Sequence, residues 1–87
     1  MNEFVVYALY SPAHDKIYIG YTSDLINRIK SHNIFAEKGY TCKFRPWIVV
    51  KVEFYNDQTE AEKKEKSLKS SRGRAAVREI IKQFEEY

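Results

Sequence analysis

With 87 residues the chain has room for one domain, read here as residues 1–87, and none for a second. Its formal net charge of +3 admits a nucleic-acid partner without demanding one, and its single cysteine, Cys42, excludes an internal disulfide and a zinc-ligand cluster, in keeping with a reducing cytoplasm. There is no signal-peptide core and no long apolar run, so neither secretion nor membrane insertion is expected.

Phe4 to Tyr10 is a continuous apolar and aromatic run with β-branched Val5 and Val6, the pattern of a buried strand. Turn-forming residues follow at Ser11-Pro-Ala-His-Asp15, and Lys16 to Tyr21 resumes as a second strand. The short connection makes an antiparallel hairpin the economical pairing. With a period of two, Ile17, Ile19 and Tyr21 share one face, and Tyr18 and Gly20 share the other, so Tyr7 and Tyr18 can approach across the hairpin. Gly20 leaves an opening that predicts close approach by a ligand or another backbone.

Thr22-Ser23-Asp24 offers helix-capping groups, and Leu25, Ile26 and Ile29 predict the apolar stripe of a helix ending near Asn33. Arg28 and His32, four residues apart, point the same way at the edge of that stripe. Residues 34–45 have no firm period and read as an irregular basic loop. From Trp47 to Tyr55, Ile48, Val50, Val52 and Phe54 alternate with Val49, Lys51, Glu53 and Tyr55, which predicts a third strand. A charged helix follows, with Thr59 as its expected N-cap and Glu62 as the capping-box partner. After Ser70-Ser-Arg-Gly73 a last helix carries Val77, Ile80, Ile81 and Phe84 at helical spacing. The expected fold is α+β: a small three-stranded antiparallel sheet flanked by helices, in the order β-β-α-β-α-α.

Glu65 asks for explanation, because Ala61 and Leu68 lie either side of it on the inward stripe of its helix. A buried carboxylate costs several kcal/mol unless it is paired or metal-bound. Pairing with Lys69 or Arg72 on a solvated face is one reading; the other is a ligand for a hard divalent cation whose shell is completed by waters and a phosphate. Arg28 and His32, taken singly, fit the wet edge of an amphipathic helix; taken with Tyr18 they form a cationic wall suited to phosphate. Tyr7 and Tyr18 would ordinarily be core aromatics, but a phenol beside a metal or an arginine can orient or deprotonate a water. Lys66, Lys69 and Arg72 lie in a basic run around Glu65, with Lys43 and Arg45 adding charge from the loop. Such runs are usually solvated faces, yet they also match a phosphodiester backbone.

The sequence from Tyr18 to Asn33 is similar to the text Tyr-Ile-Gly-x-Thr-x-Asp-Leu-x-x-Arg-x-x-x-His-Asn, and with Tyr7 before it and Glu65, Lys66 and Lys69 after it the chain resembles the GIY-YIG nuclease superfamily. That group includes the N-terminal nuclease domain of the bacterial excision-repair protein UvrC, homing endonucleases and small stand-alone bacterial proteins; the last are the nearest in text. The resemblance runs from Phe4 to about Ile81, with Val5 and Val6 standing where the first motif has glycine and isoleucine. It implies that Tyr7 and Tyr18 are the motif tyrosines, with Tyr7 preferred for acting on the attacking water. It implies also that Arg28 holds the scissile phosphate, that His32 assists, and that Glu65 is the single ligand of one Mg2+ or Mn2+. The implied reaction is endonucleolytic hydrolysis of DNA, with a place in repair or recombination and little sequence preference. The alternative is a catalytically silent nucleic-acid-binding or protein-interaction module retaining the fold.

Overall fold

The computed structural model describes residues 3–35 and 39–85. Three strands, β1 (Phe4–Ser11), β2 (Lys16–Thr22) and β3 (Ile48–Tyr55), form one antiparallel sheet in the order β2-β1-β3. Between β2 and β3 lie α1 (Leu25–Lys30), a π-helical turn (Ser31–Phe35) and a short α2 (Tyr40–Lys43); α3 (Gln58–Lys69) and α4 (Ser71–Glu85) complete the described chain. The α+β class and the element order are as the sequence predicts, with α2 standing in the stretch expected to be irregular. Residues 36–38 of that stretch lie outside the described residues.

β1 is the central strand, and its alternation supplies both faces of the sheet. Val6, Ala8 and Tyr10 join Ile17 and Ile19 of β2 beneath Ala61 and Leu68 of α3 and Val77 and Ile81 of α4. Each Val, Ile or Leu side chain among them contributes about 1.5–3 kcal/mol by leaving water. Tyr7 and Leu9 point the other way, to a second cluster with Trp47, Tyr18, Leu25 and Phe44. The elbow between α3 and α4 is closed by Gly73, where a Cβ would overlap the Ser67 carbonyl oxygen and the Leu68 backbone. Far from the elbow, Arg78 of α4 holds Asp15 in the hairpin turn at 2.8 Å.

β3 departs from its alternating pattern. Ala8 pairs with Lys51 and Leu9 with Val49, so Val50 is bulged out of register and drops into the helix-covered core. Beyond the bulge, Glu53 and Lys51 stand opposite Val6 and Ala8 on the helix-covered face, where Lys64 of α3 lies 3.8 Å from Glu53. Val52 and Phe54 are left exposed on the other face. Three smaller expectations are also corrected. Asp57, not Thr59, caps α3, accepting from the Thr59 N–H at 2.9 Å, while Glu62 accepts from the Tyr21 hydroxyl at 2.7 Å. α1 is too short to build a buried stripe, so Leu25 packs inward while Ile26 is exposed. Phe84 is exposed as well, beyond the last buried turn of α4.

Candidate active site

The second face of the sheet gathers four of the five residues expected to carry chemistry. Tyr7 stands opposite Gly20 in the β1–β2 ladder, and Tyr18 stands two pairs further along, opposite Leu9. The opening at Gly20 is filled from within the protein, by neither a ligand nor another backbone: a Cβ there would stand 2.6 Å from the Tyr7 hydroxyl oxygen and 3.2 Å from the Tyr18 ring. Glycine is therefore what lets the Tyr7 phenol lie flat across β2. The two tyrosine rings end with their centroids 6.3 Å apart.

His32 reaches the same place by a route its spacing does not show. The helix widens into a π-turn from Ser31 to Phe35, so the position expected at a wet edge turns inward and His32 is buried. Its Nε2 lies 2.9 Å from the Tyr7 hydroxyl and its Nδ1 2.9 Å from the Thr41 hydroxyl, with the Tyr18 ring 4.8 Å away. Two pins hold the turn. Asn33 accepts from the Trp47 N–H at 2.7 Å and donates to its carbonyl at 3.1 Å. Arg45 donates to the His32 carbonyl at 2.6 Å and to the Ser31 carbonyl at 3.2 Å. Trp47 in turn donates its indole N–H to the Thr41 carbonyl at 2.8 Å, which fixes α2 under the imidazole.

The hydrogen-bond directions follow from the donors available. Arg28, exposed on α1, stands close enough for its charge to act on the Tyr7 and Tyr18 phenols. With a guanidinium, which only donates, on that side, the Tyr7 hydroxyl turns its own proton toward His32 Nε2. The imidazole then carries its proton on Nδ1 and gives it to Thr41. The charge states agree with this chain. Burial, reinforced by the positive charges of Arg28 and Arg45, pushes His32 below the usual histidine range, which favours the neutral ring. Burial pushes the Tyr7 phenol up to about 12, with Arg28 opposing and the charges of Tyr18 and Glu65 adding to the rise.

Glu65 sits on α3 near enough for its charge to act on Tyr7, with its side chain 18% exposed and Lys69 Nζ 3.4 Å away. The ion pair with Lys69 is thus real, and it does not exclude a metal. Among the described residues no group of three or more His, Cys, Asp or Glu side chains could hold an ion. A site with one carboxylate suits magnesium, which keeps most of its waters and borrows oxygens from a phosphate. The donor set fits that use of Glu65 and no all-protein cage.

Two clefts open to solvent flank Tyr18. One, of about 300 Å3, is lined by Tyr18, Arg28, His32, Tyr40 and Thr41; the other, of about 370 Å3, by Tyr18, Ile17, Tyr40, Lys69 and Arg74. Of the five expected nucleic-acid contacts, Lys69 alone lines a cleft. Lys43, Lys66 and Arg72 are exposed away from both, and Arg45 is engaged in bracing the π-turn. Sequence reasoning missed Thr41, Tyr40 and Asn33. Trp47, just ahead of β3, is the residue whose size could have pointed to a partner upstream.

The comparisons with known proteins agree with this arrangement. The profile of the GIY-YIG catalytic domain matches residues 3–78. The solution NMR structure of a UPF0213 protein from Bacillus halodurans is similar at 28% identity and a TM-score of 0.55, over 90% of this chain and 84% of that one. No curated protein matches the chain. Among the described residues, no helix is long and apolar enough to cross a membrane. With the family profile covering nearly the whole chain, and with the paired tyrosines, the arginine and the histidine brought to one place on the sheet, the chain belongs to the GIY-YIG nuclease family.

Proposed function

We propose that this protein is a divalent-metal-dependent endonuclease that hydrolyses phosphodiester bonds in DNA, working in the cytoplasm in repair or recombination, as UvrC does. The observation that carries the proposal is the buried Tyr7–His32 hydrogen bond lying under Arg28 and close to Glu65. A cluster that serves only as packing has no use for an arginine held over two phenols.

The chain's own residues divide the work. Arg28 takes the non-bridging oxygens of the scissile phosphate and the charge that develops on them. Tyr7 is fully buried, so the attacking water reaches its hydroxyl only when the site opens around the bound phosphate. A phenolate standing ready at neutral pH would cost about 7 kcal/mol at a pKa of about 12. Tyr7 therefore serves as a relay: as its oxygen accepts a proton from the attacking water, its own proton passes to His32 Nε2. Thr41 holds the imidazole in the tautomer that can accept it. Tyr18, lining both clefts, orients the phosphate beside Arg28. A magnesium or manganese ion held by Glu65 would supply Lewis-acid stabilisation of the phosphate charge.

The full burial of Tyr7 favours a second reading, a binding module that keeps the fold without turnover. One experiment separates the two. Labelled single-stranded, duplex, nicked and branched DNA, together with RNA, are incubated with magnesium, with manganese or with EDTA, using the wild type and Glu65→Gln. The nuclease reading expects metal-dependent cutting that Glu65→Gln abolishes while the fold is kept. Salt-sensitive DNA binding without cutting under any condition would establish the binding module instead.

A further inference from the structure

Tyr40 opens α2 and is 46% exposed, yet its ring meets three other aromatic rings. Its ring stacks on Tyr18 at 6.4 Å and 28°, meets Phe44 at 4.9 Å and packs on Trp47 at 6.1 Å. Phe44 is itself buttressed by His14 at 5.4 Å, and Lys16 Nζ stands 5.5 Å from its centroid. A tyrosine that only filled the core would be buried. One that only covered the surface would not be clamped between three rings. Held this way, the free part of the ring has little rotamer freedom left to lose when something stacks on it.

Its position says what would stack. Tyr40 and Tyr18 together line both clefts, one holding Arg28 and His32 and the other Lys69 and Arg74. Two clefts, each carrying an arginine and separated by an aromatic ridge, match successive phosphates of one strand with a base between them. A base inside a duplex has both faces covered by its neighbours and cannot lie on the ridge; an unpaired base can.

The geometry points to Tyr40 as a stacking platform for one unpaired nucleobase next to the phosphate on Arg28, so that the substrate is DNA that is single-stranded at the site of cutting. The assignment of that phosphate to Arg28 rests on the proposed function; the stacking itself does not. Base–aromatic stacking is worth about 1–3 kcal/mol per base, which is roughly a 5- to 150-fold change in affinity.

The test is the affinity of the full chain, in EDTA so that nothing is cut, for a short mixed-sequence single strand, its duplex and an abasic strand of equal charge. Tyr40→Ala should weaken single-strand binding roughly 5- to 150-fold. It should leave duplex and abasic binding unchanged, and Tyr40→Trp should restore the loss. Equal weakening on all three ligands, no weakening at all, or an abasic strand binding as tightly as the natural one would each overturn the platform. Failure of the nuclease reading looks different: no cleavage of any substrate with any metal, while the Tyr40-dependent preference for the single strand persists and supports the platform.

Discussion

The two faces of the sheet are built on the same central strand and held together by different physics. Under α3 and α4, Val6, Ala8, Ile19, Leu68, Val77 and Ile81 form an aliphatic core, and the Tyr10 phenol beside them donates outward to Asp15 at 3.0 Å. On the opposite face Tyr7, Tyr18, His32 and Trp47 are ordered by directed bonds from Asn33, Thr41 and Arg45, under a covering of only short helical segments. Apolar packing tolerates small shifts because it is non-directional. A hydrogen-bonded network fixes atoms to a few tenths of an ångström, and leaves a costly orphan when any member is removed. The first face supplies stability; the second supplies the placement that chemistry needs.

That division is open to attack from the stability side. Leu68→Ala removes part of the aliphatic core and should cost about 2–5 kcal/mol of unfolding free energy, read as a lower denaturation midpoint. Cleavage per folded molecule should be unchanged well below that midpoint, because Leu68 touches none of the hydrogen-bonded network. An equal fall in both would mean that the two faces are not separable.

Acid should attack the other face. His32 is held below the usual histidine range, so the native state takes up its proton later than the unfolded chain does. Stability from this group is complete above about pH 6.5 and is lost as the pH falls toward the native value, at no more than about 1.4 kcal/mol per pH unit. The carboxylates of Asp15 and Glu53 are shifted down as well, below 3.8 and 4.5, and enter only in stronger acid. Chemical denaturation from pH 7 to pH 5 should show this loss in the wild type, and it should be reduced in His32→Gln.

The aliphatic face was largely legible in the sequence, and the network was not. The hydrophobic period gave β1, β2 and the inward residues of α4, because those elements bury whole faces. It gave β3 as a strand too, but could not show that the bulge at Val50 sends the apolar Val52 and Phe54 outward and lets Lys51 and Glu53 lie under α3, paired with each other at 2.9 Å. The residues that gather on the second face were named, but His32 was placed on a wet edge because a 3.6-residue period carries no sign of a π-turn. That turn exists because Asn33 and the carbonyls of Ser31 and His32 find partners at Trp47 and Arg45, more than ten residues on. Arg45 illustrates the limit: its charge suggested DNA, while its position commits it to bracing the turn. Tyr40 and Thr41 carried no local signal, since four residues are too few for a helical pattern to register.

The central claim is that the Tyr7 hydroxyl moves a proton in the reaction and does more than fill the space over Gly20. It is tested most directly by single-turnover DNA cleavage with Tyr7→Phe, which keeps the ring and removes the oxygen. The variant should stay folded, losing about 1–3 kcal/mol through the orphaned His32 nitrogen, and cleavage should fall by about 100- to 10,000-fold with DNA affinity little changed. A Tyr7→Phe protein that cuts DNA at the wild-type rate would contradict the account and reduce the buried pair to packing.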